Sequence, residues 1–385
     1  MATVTGAMLT SNVLSDQLAI DLGDTIALLE PDVNPLTLLS RAADKRRTVA
    51  TTYSHLEDAR KARFDATSST ATTTGTVPVV NGAYFTQWDL VQNTRTGEVF
   101  RVDSVAANVI TAYRNASATG TPGTGTAMNS GDELMIIGTS QPENDLAKTP
   151  ASDIPVKVSN YTQIFRTPFQ ASDTLRASGF QVQPAEWNRQ AKNKGIEHSI
   201  DIESAFIWGK KADLTPATYG HQRQTGGILS HITTNQTDAG GDLSEAEFNA
   251  FCATAFRYGS MRKLFLASAT VVSALTKFPA SKQQTTNNET TYGMNVKTFT
   301  SPFGTLNMVY HRLLQGTKYG GYGILADMDN VAYRYLANDE LSRDTKVLTN
   351  RQAPDRDGRM DEYLTECGCQ VKMQQTHAVL TGVTS

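Results

Sequence analysis

A glycine-rich motif in the last third of the sequence is of the kind that could bind a cofactor. Gly321, Gly323 and Ala326 match the G-x-G-x-x-A fingerprint of dinucleotide-binding proteins, whose glycines let the backbone approach a pyrophosphate. That fingerprint follows a strand and opens a helix, whereas here it runs through Ile324 and Leu325 into an Asp-Met-Asp turn. The context therefore predicts a strand and a turn, with no cofactor.

A carboxylate cluster further along resembles part of a calcium loop, because hard cations prefer clustered oxygen ligands beside a tight turn. Its spacing does not complete the calcium pattern, and two arginines among the carboxylates can neutralise them without a metal. We therefore predict a charged surface turn and no metal site, formed by Asp355, Arg356, Asp357, Gly358, Arg359 and Asp361.

Cys367 and Cys369 point to the same side of a predicted strand. Two thiolates cannot make the usual four-ligand zinc site, even if His377 contributes, so two small, semi-buried side chains are expected. With Cys252 the chain has three cysteines, too few for a disulfide framework, which favours a reducing compartment.

No recognised catalytic motif is present in the sequence. The histidines lack metalloprotease spacing, no G-x-S-x-G elbow supplies a nucleophile, and no P-loop is found. Glu197 and His198 are adjacent on a predicted helix, where neighbouring side chains point about 100° apart. The sequence predicts no catalytic residue and no enzyme.

Length and composition indicate a folded protein of several lobes. The chain has 385 residues, of which 39% are hydrophobic and 19% charged, and its formal net charge is -3. This charge argues against a surface that is basic throughout, so any contact with nucleic acid must be local. No run of apolar residues is long enough to span a membrane, and no standard export signal is expected.

Short strands are predicted between Val77 and Ile137, including Val99–Val105, Val109–Thr111 and Leu134–Ile137. They form either a small β subdomain or an extended hairpin. Residues 66–75 are a polar, low-complexity tract, which is expected to be a linker or a mobile loop.

Two helices are well marked. Pro184 opens the first, over 184–210, and Gly195 in its middle points to a bend or a close helix contact. Ser244 and Glu247 form a capping box for the second, which Gly259 is expected to end. Ser268 caps a further helix over 270–278, and strands are predicted at 264–267, 295–299, 306–310, 323–326, 331–336 and 363–371.

The order of several blocks resembles the major capsid proteins of tailed bacteriophages, which have the Hong Kong 97-like fold. The resemblance extends over most of the chain after about residue 77. The blocks are Asn160-Tyr161-Thr162-Gln163-Ile164-Phe165, Ser172, the 184–210 helix, Gly226-Gly227-Ile228-Leu229, the Thr-Gly-Glu-Val turn at 96–99, the strand at 264–267 and the segment 361–383.

This resemblance implies an α+β capsid subunit. Its expected parts are an N-terminal arm (1–65), a β-rich extended loop or β insertion (66–150), a peripheral domain with a strand and a long spine helix (151–212, helix 184–210), an axial α/β domain (213–330) and a return to the peripheral domain (331–385).

The implied function is self-assembly into hexamers and pentamers of an icosahedral or prolate head that encloses double-stranded DNA. The implied partners are further copies of the chain, a portal protein, scaffold and decoration proteins, and the packaged DNA through weak non-specific contacts. The implied location is the virion capsid, assembled in the host bacterial cytoplasm, with no membrane contact. Another phage structural protein, from the tail, neck or decoration, is the alternative.

Three further expectations concern particular residues. Gly226 and Gly227 are expected to provide bends, because glycine tolerates backbone angles denied to other residues. Some capsids of this fold cross-link through a loop lysine; none lies between Lys61 and Lys148, so a loop within 77–137 cannot cross-link, whereas a later loop could use Lys148 or Lys157. A basic segment is either a solvated helical face or an arm that faces packaged DNA: Arg41, Lys45, Arg46, Arg47, Arg60, Lys61 and Arg63.

Overall fold

The computed structural model of the chain describes residues 36, 44–116, 123–143, 154–178, 186–216, 218, 220–278, 285–291 and 294–384. These residues belong to two compact units. The main unit comprises residues 1–55 and 158–385, and the β unit comprises residues 56–157. Each unit buries its own hydrophobic core.

Strands dominate the described parts of both units. They are β1 (Lys45–Thr48), β2 (Thr52–Glu57), β3 (Phe64–Ala66), β4 (Thr76–Pro78), β5 (Asp89–Asn93), β6 (Val99–Ala106), β7 (Val109–Tyr113), β8 (Glu133–Thr139), β9 (Val156–Tyr161), β10 (Gln163–Ala171), β11 (Ala212–Leu214), β12 (Gln222–Gln224), β13 (Gln236–Gly241), β14 (Arg262–Ala267), β15 (Thr285–Thr291), β16 (Met294–Ser301), β17 (Gly304–Tyr310), β18 (Gly323–Ala326), β19 (Val331–Leu336), β20 (Lys346–Leu348), β21 (Arg359–Val371) and β22 (Ala378–Val383).

The helices are fewer. They are α1 (Asp173–Ala177), α2 (Glu186–Trp208), α3 (Ile228–His231), α4 (Glu245–Ala255), α5 (Ala269–Thr276) and α6 (Gly316–Tyr319). Within the described chain, none of them is both long and apolar enough to cross a membrane.

The main unit contains a central sheet built around β21. Its strand order is β1-β19-β21-β10, and β20 also pairs with β21. Side chains alternate along a strand, so Cys367, Cys369 and Val371 face the same side and enter one buried cluster with Phe206 and Ile207 of α2. The predicted placement of the two cysteines on one side of a strand is confirmed, but both are fully buried where semi-buried side chains were predicted.

Helix α2 crosses this sheet as the longest helix of the described chain. The prediction of a helix over 184–210 is confirmed within two residues at its end, while residues 184 and 185 lie outside the described part. The helix continues through Gly195, where an added Cβ would lie 3.3 Å from the ring of Tyr363. The Tyr363 hydroxyl donates a hydrogen bond to the carbonyl of Ala191 at 3.0 Å. Gly195 therefore allows a close contact between the helix and β21.

His198 and its neighbour Glu197 lie on different sides of α2, as their spacing predicts. His198 is buried and its ring nitrogens contact the hydroxyls of Thr167 at 2.9 Å and Thr365 at 2.7 Å. Glu197 pairs instead with Lys194 on the exposed side at 2.6 Å. The two side chains do not form a site.

A second, seven-stranded sheet has the order β13-β22-β18-β14-β17-β16-β15, and α4 and α5 cover its core. The predicted capping box of Ser244 and Glu247 is present, and Ser268 caps α5. The prediction that Gly259 ends α4 was wrong, because the helix stops at Ala255. Gly259, with a φ of +84°, instead forms the turn that leads into β14.

The end of the chain returns to both sheets. Residues 331–371 contribute β19, β20 and β21 to the central sheet, but β22 lies in the seven-stranded sheet between β13 and β18. The predicted division placed all of 331–385 in one domain, whereas Ala378–Val383 pairs with strands of the seven-stranded sheet. A parallel pairing of β22 with β13 and an antiparallel pairing with β18 bury the apolar residues of this strand.

The β unit is a six-stranded antiparallel sheet with the order β3-β8-β5-β6-β7-β4. Phe100, Val102, Ile110 and Leu134 point to its inner side and are fully buried, as the alternating pattern predicts. The strands predicted over 99–105, 109–111 and 134–137 are confirmed.

The prediction that residues 66–75 are a linker or a mobile loop was wrong. Ala71 is buried and its backbone exchanges hydrogen bonds with Met128, while the amide of Thr67 donates to the carbonyl of Asp132. The side chains of this tract are small, so its backbone can approach the sheet closely and contribute to the core of the β unit.

Candidate assembly surfaces

Asn160, in β9, joins three parts of the main unit through one buried side chain. Its Nδ2 donates to the carbonyl oxygens of Gly226 at 2.9 Å and Cys369 at 2.8 Å. Its Oδ1 accepts a hydrogen bond from the amide of Gly226 at 2.8 Å. The side chain is 3% exposed, so these bonds form away from water and fix the 225–227 segment against β21.

Gly226 and Gly227 do not act through unusual backbone angles. Gly227 has a φ of -86° at the start of α3, a conformation open to most residues. A Cβ on Gly227 would lie 2.7 Å from the carbonyl oxygens of Ala205 and Phe206, and one on Gly226 would lie 2.9 Å from the ring of His231. The predicted reason was therefore wrong: a side chain would collide where the chain passes the end of α2.

The predicted basic segment is divided between the two units. Arg41 lies outside the described residues. Lys45, Arg46 and Arg47 form β1, which pairs in parallel with β19, so the alternative of a helical face is wrong for these residues. The other members, Arg60, Lys61 and Arg63, lie in the β unit between β2 and β3.

The three basic side chains of β1 have acidic partners. Arg46 contacts Asp44 at 2.6 Å and Arg47 contacts Asp339 at 2.8 Å, and both arginines are more than half exposed. Exposed ion pairs of this kind contribute roughly 0–1 kcal/mol to stability. The remaining pair joins Lys45 to Asp344. These side chains can therefore exchange partners at little cost to the fold.

The β unit contains a buried ion pair between Glu98 and Arg114, whose side chains are 3% and 0% exposed. Arg114 Nε and Nη2 donate to the two carboxylate oxygens at 2.7 and 2.9 Å. Burial alone would raise the pKa of Glu98, but hydrogen bonds from Arg114 and from the amides of Thr126 and Asn115 hold it below its usual value. The carboxylate is thus kept ionised inside the unit.

Arg114 also binds the polar tract 66–75. Its Nη1 donates to the carbonyl of Thr72 at 2.8 Å, and its Nη2 donates to the carbonyl of Thr126 at 2.7 Å. One guanidinium therefore holds two loops against β6 and β7. The sequence offers no local signal for this pair, because its members are separated by 16 positions and neither belongs to a motif.

The sequence analysis also did not identify a buried lysine in the main unit. Lys263 is 1% exposed, and its Nζ donates to the carbonyls of Ala255 at 2.6 Å, Tyr258 at 2.7 Å and Thr376 at 2.6 Å. Burial lowers the pKa of Lys263 to about 8. Carbonyl groups at the end of a helix often accept hydrogen bonds within a turn that contains a left-handed glycine. At the end of α4, the Lys263 ammonium donates these hydrogen bonds instead. A lysine within the apolar strand β14 is the signal that could have indicated it.

The glycine motif and the carboxylate cluster lie in ordinary strands and turns of the main unit. Gly323–Ala326 is strand β18 and is followed by a short 3-10 turn at Met328–Asn330, which confirms the predicted strand and turn. Asp355 and Asp357 lie in an exposed turn, as predicted. Asp361 differs, because it is buried in β21 and pairs with Arg359 at 2.7 Å. No group of metal-binding side chains occurs among the residues that the structure describes.

Two sheets, a long helix crossing one of them and an inserted β unit define a mixed α+β subunit of the Hong Kong 97-like capsid class. The chain belongs to the SU10 major capsid protein family, whose profile matches residues 3–384. It is a phage major capsid protein and a component of the virion. The match over nearly the whole chain does not favour the tail, neck or decoration alternative.

Relatives agree with this membership. The major capsid protein of Pseudomonas phage PaMx41 is 26% identical over 144 residues, which are 37% of this chain. The match spans 34% of that relative, or about a third of its length.

Solved capsid structures share the fold. The structure from Mycobacterium phage Bobi is 10% identical, with a TM-score of 0.51 over 97% of this chain and 98% of the other. The Cyanophage A-1(L) capsid subunit is 11% identical, with a TM-score of 0.50 over 98% of this chain and 100% of the other. At these identities the likeness shows the fold alone.

Proposed function

We propose that the chain assembles with copies of itself into hexamers and pentamers that close an icosahedral or prolate head around double-stranded DNA. The match of the capsid family to residues 3–384 carries this proposal. Its role is structural and involves no catalysis. Assembly takes place in the host bacterial cytoplasm, with a portal protein and with scaffold or decoration proteins as further partners. Electron microscopy of particles formed by the recombinant protein tests it.

The two sheets suggest how the subunit is arranged within a capsomer. Helix α2 takes the role of the spine and the central sheet that of the peripheral domain. The seven-stranded sheet, including β22, takes the role of the axial domain. The β unit is an insertion rather than a two-stranded hairpin, because it has six strands and a core of its own.

If the extended loop lies within 77–137, the shell closes without covalent links from that loop, because no lysine lies between Lys61 and Lys148. We expect mature particles to give a single subunit band on a denaturing gel, at the chain mass of 41.8 kDa. A ladder of linked subunits would contradict this expectation.

The basic side chains of β1 face packaged DNA in this proposal. We expect Arg46→Gln combined with Arg47→Gln to leave shells closed, since both ion pairs are exposed, but to weaken retention of DNA. The salt dependence of DNA binding is the slope of the logarithm of the binding constant against the logarithm of the salt concentration. Each lost phosphate contact reduces the magnitude of this slope by about 0.9, so the loss of two contacts should reduce it by about 2. DNA content per particle, measured over a salt series, reports this change.

The matched control removes two exposed positive charges elsewhere, by Lys277→Gln and Lys318→Gln. It should retain DNA like the parent particles. Equal loss in both double variants would assign the effect to net charge rather than to β1.

A further inference from the structure

The sheet of the β unit has a second face, opposite its core, that is rich in apolar side chains. We call it the outer face. Phe64 and Ile137 are each 46% exposed there. The face spans five neighbouring strands and consists of Phe64, Trp88, Leu90, Val99, Arg101, Tyr113, Met135 and Ile137.

The strand register brings these side chains into two adjacent rows. In one row Phe64 lies opposite Met135, and Gln92 separates Met135 from Val99. In the other row Leu90 lies opposite Arg101, which lies opposite Tyr113. Ile137 is the extra residue where the register of β8 shifts, since Leu90 pairs with Gly138 and Val91 with Ile136. The apolar side chains therefore lie in two adjacent rows, which Gln92 and Arg101 interrupt.

The centre of the outer face is an arginine between two aromatic rings. The guanidinium carbon of Arg101 lies 4.9 Å from the ring centroid of Trp88 and 5.4 Å from that of Tyr113. Asp103 holds the same guanidinium, accepting from Nη2 at 2.8 Å and from Nε at 3.1 Å. The three side chains are thus ordered before any partner binds, which lowers the entropy lost on association.

Trp88 reaches this position through an unusual backbone conformation. Its φ is +70°, in the left-handed region that large side chains rarely adopt. Its amide donates to the carbonyl of Val102 at 2.8 Å, and its carbonyl accepts from the amide of Ser140 at 2.8 Å, so neighbouring strands hold the conformation. Strained residues that the surrounding fold maintains are concentrated at functional sites.

We propose that the outer face binds a second copy of this chain, an inference that rests on the proposed self-assembly. Tryptophan, tyrosine, arginine, phenylalanine and methionine are the residues enriched at the centres of protein interfaces, and all five occur here. The face contains no lysine. Exposed apolar patches of this kind mark contact surfaces, and copies of the chain are the molecules present at highest local concentration in a shell.

The size of the outer face also suits contact with another copy in a shell. Five strands spaced about 4.8 Å apart give a width of about 19 Å. A patch of that width offers a few hundred Å², well below the roughly 800 Å² per partner of a stable isolated complex. It therefore contributes one weak contact that symmetry repeats many times, and unassembled subunits should not dimerise through it.

The first test asks whether the outer face is covered in particles. Cys252, Cys367 and Cys369 are all buried, so a maleimide should react selectively with an Ile137→Cys variant. We expect a maleimide-linked polyethylene glycol to label free Ile137→Cys subunits fully and to lose that labelling in assembled particles. A Thr124→Cys variant, at an exposed loop position of the same unit, is the control for general access. Full labelling of Ile137→Cys in closed particles would overturn the proposal and leave self-assembly standing.

A photoreactive maleimide on Ile137→Cys identifies the occupant. Particles formed by this chain alone should give a cross-linked product with twice the 41.8 kDa chain mass. Products that appear only when another phage protein is added would overturn the assignment to a second copy. Failure of the parent protein to form particles would instead count against the proposed function itself.

The second test separates folding from association. Trp88→Gly removes the ring but suits a positive φ, so the unassembled subunit should retain its melting temperature within a few degrees. We expect the subunit concentration needed for assembly to rise about tenfold or more, the effect of losing a central interface residue. Unchanged assembly by a folded Trp88→Gly subunit would contradict the proposal.

Discussion

Replacing Asn160 with alanine is expected to lower the free energy of unfolding of the unassembled subunit by about 3 kcal/mol or more. The substitution leaves the carbonyls of Gly226 and Cys369 and the amide of Gly226 without their partners. Each buried polar group left without a hydrogen bond costs about 1–3 kcal/mol. Urea denaturation of the free subunit measures the loss as a lower midpoint.

Asn338 provides a matched control for this substitution. Its Oδ1 also accepts from two backbone amides, those of Glu340 at 3.1 Å and Leu341 at 2.6 Å, but the residue is exposed. Water can replace the lost bonds, so Asn338→Ala should cost about 1 kcal/mol or less. If Asn160→Ala destabilises the subunit no more than Asn338→Ala, Asn160 does not hold the junction.

Replacing Arg114 with methionine is expected to destabilise the β unit by about 3–5 kcal/mol, because a buried carboxylate then loses its charged partner. Glu98 would remain inside the unit, and the carbonyls of Thr72 and Thr126 would lose their donor. Hydrogen exchange of the amides of β6 and β7 should increase more than exchange in the main unit, since the latter has its own cores.

A double-mutant cycle checks the mechanism of this loss. Glu98→Gln combined with Arg114→Met should cost clearly less than the sum of the single changes, because the uncompensated charge is gone. Arg176→Met is the control, since its pair with Asp173 is about half exposed on both sides and should be worth less than 1 kcal/mol. Additive effects at Glu98 and Arg114 would show that the charge pair is not the cause.

Local patterns in the sequence predicted the elements that depend on neighbouring residues. The capping box at Ser244 and Glu247 and the apolar strand at Leu264–Ala267 were confirmed, because capping and alternation act within a few positions. Strand β22 was missed, although Ala378-Val379-Leu380 is an apolar run that could have indicated it. Its place between β13 and β18 depends on pairing with distant strands.

The roles of the candidate site residues depend mostly on contacts that are distant in sequence. Asn160 belonged to a recognised block, but its partners lie 66 and 209 positions away, so its role could not be read locally. Gly226 and Gly227 were identified as candidate residues from the sequence. The reason that position 227 needs glycine could not be, because an added side chain there would collide with the distant end of α2. Trp88 carries no local signal at all, because only the folded backbone shows its positive φ.

These features support a subunit whose two units each have a core of their own and which associates through weak, repeated contacts. Asn160 fixes the main unit, the Glu98–Arg114 pair fixes the β unit, and the outer face remains available for a neighbouring copy. Such an arrangement lets subunits fold before they assemble, because the contacts of Asn160 and of the Glu98–Arg114 pair form within one chain.

Electron microscopy of particles formed by the purified chain tests self-assembly into a closed shell. We expect closed shells of uniform size with hexameric and pentameric capsomers. Tubes, rings or persistent monomers would contradict the proposed self-assembly, provided that the chain unfolds cooperatively and is therefore folded.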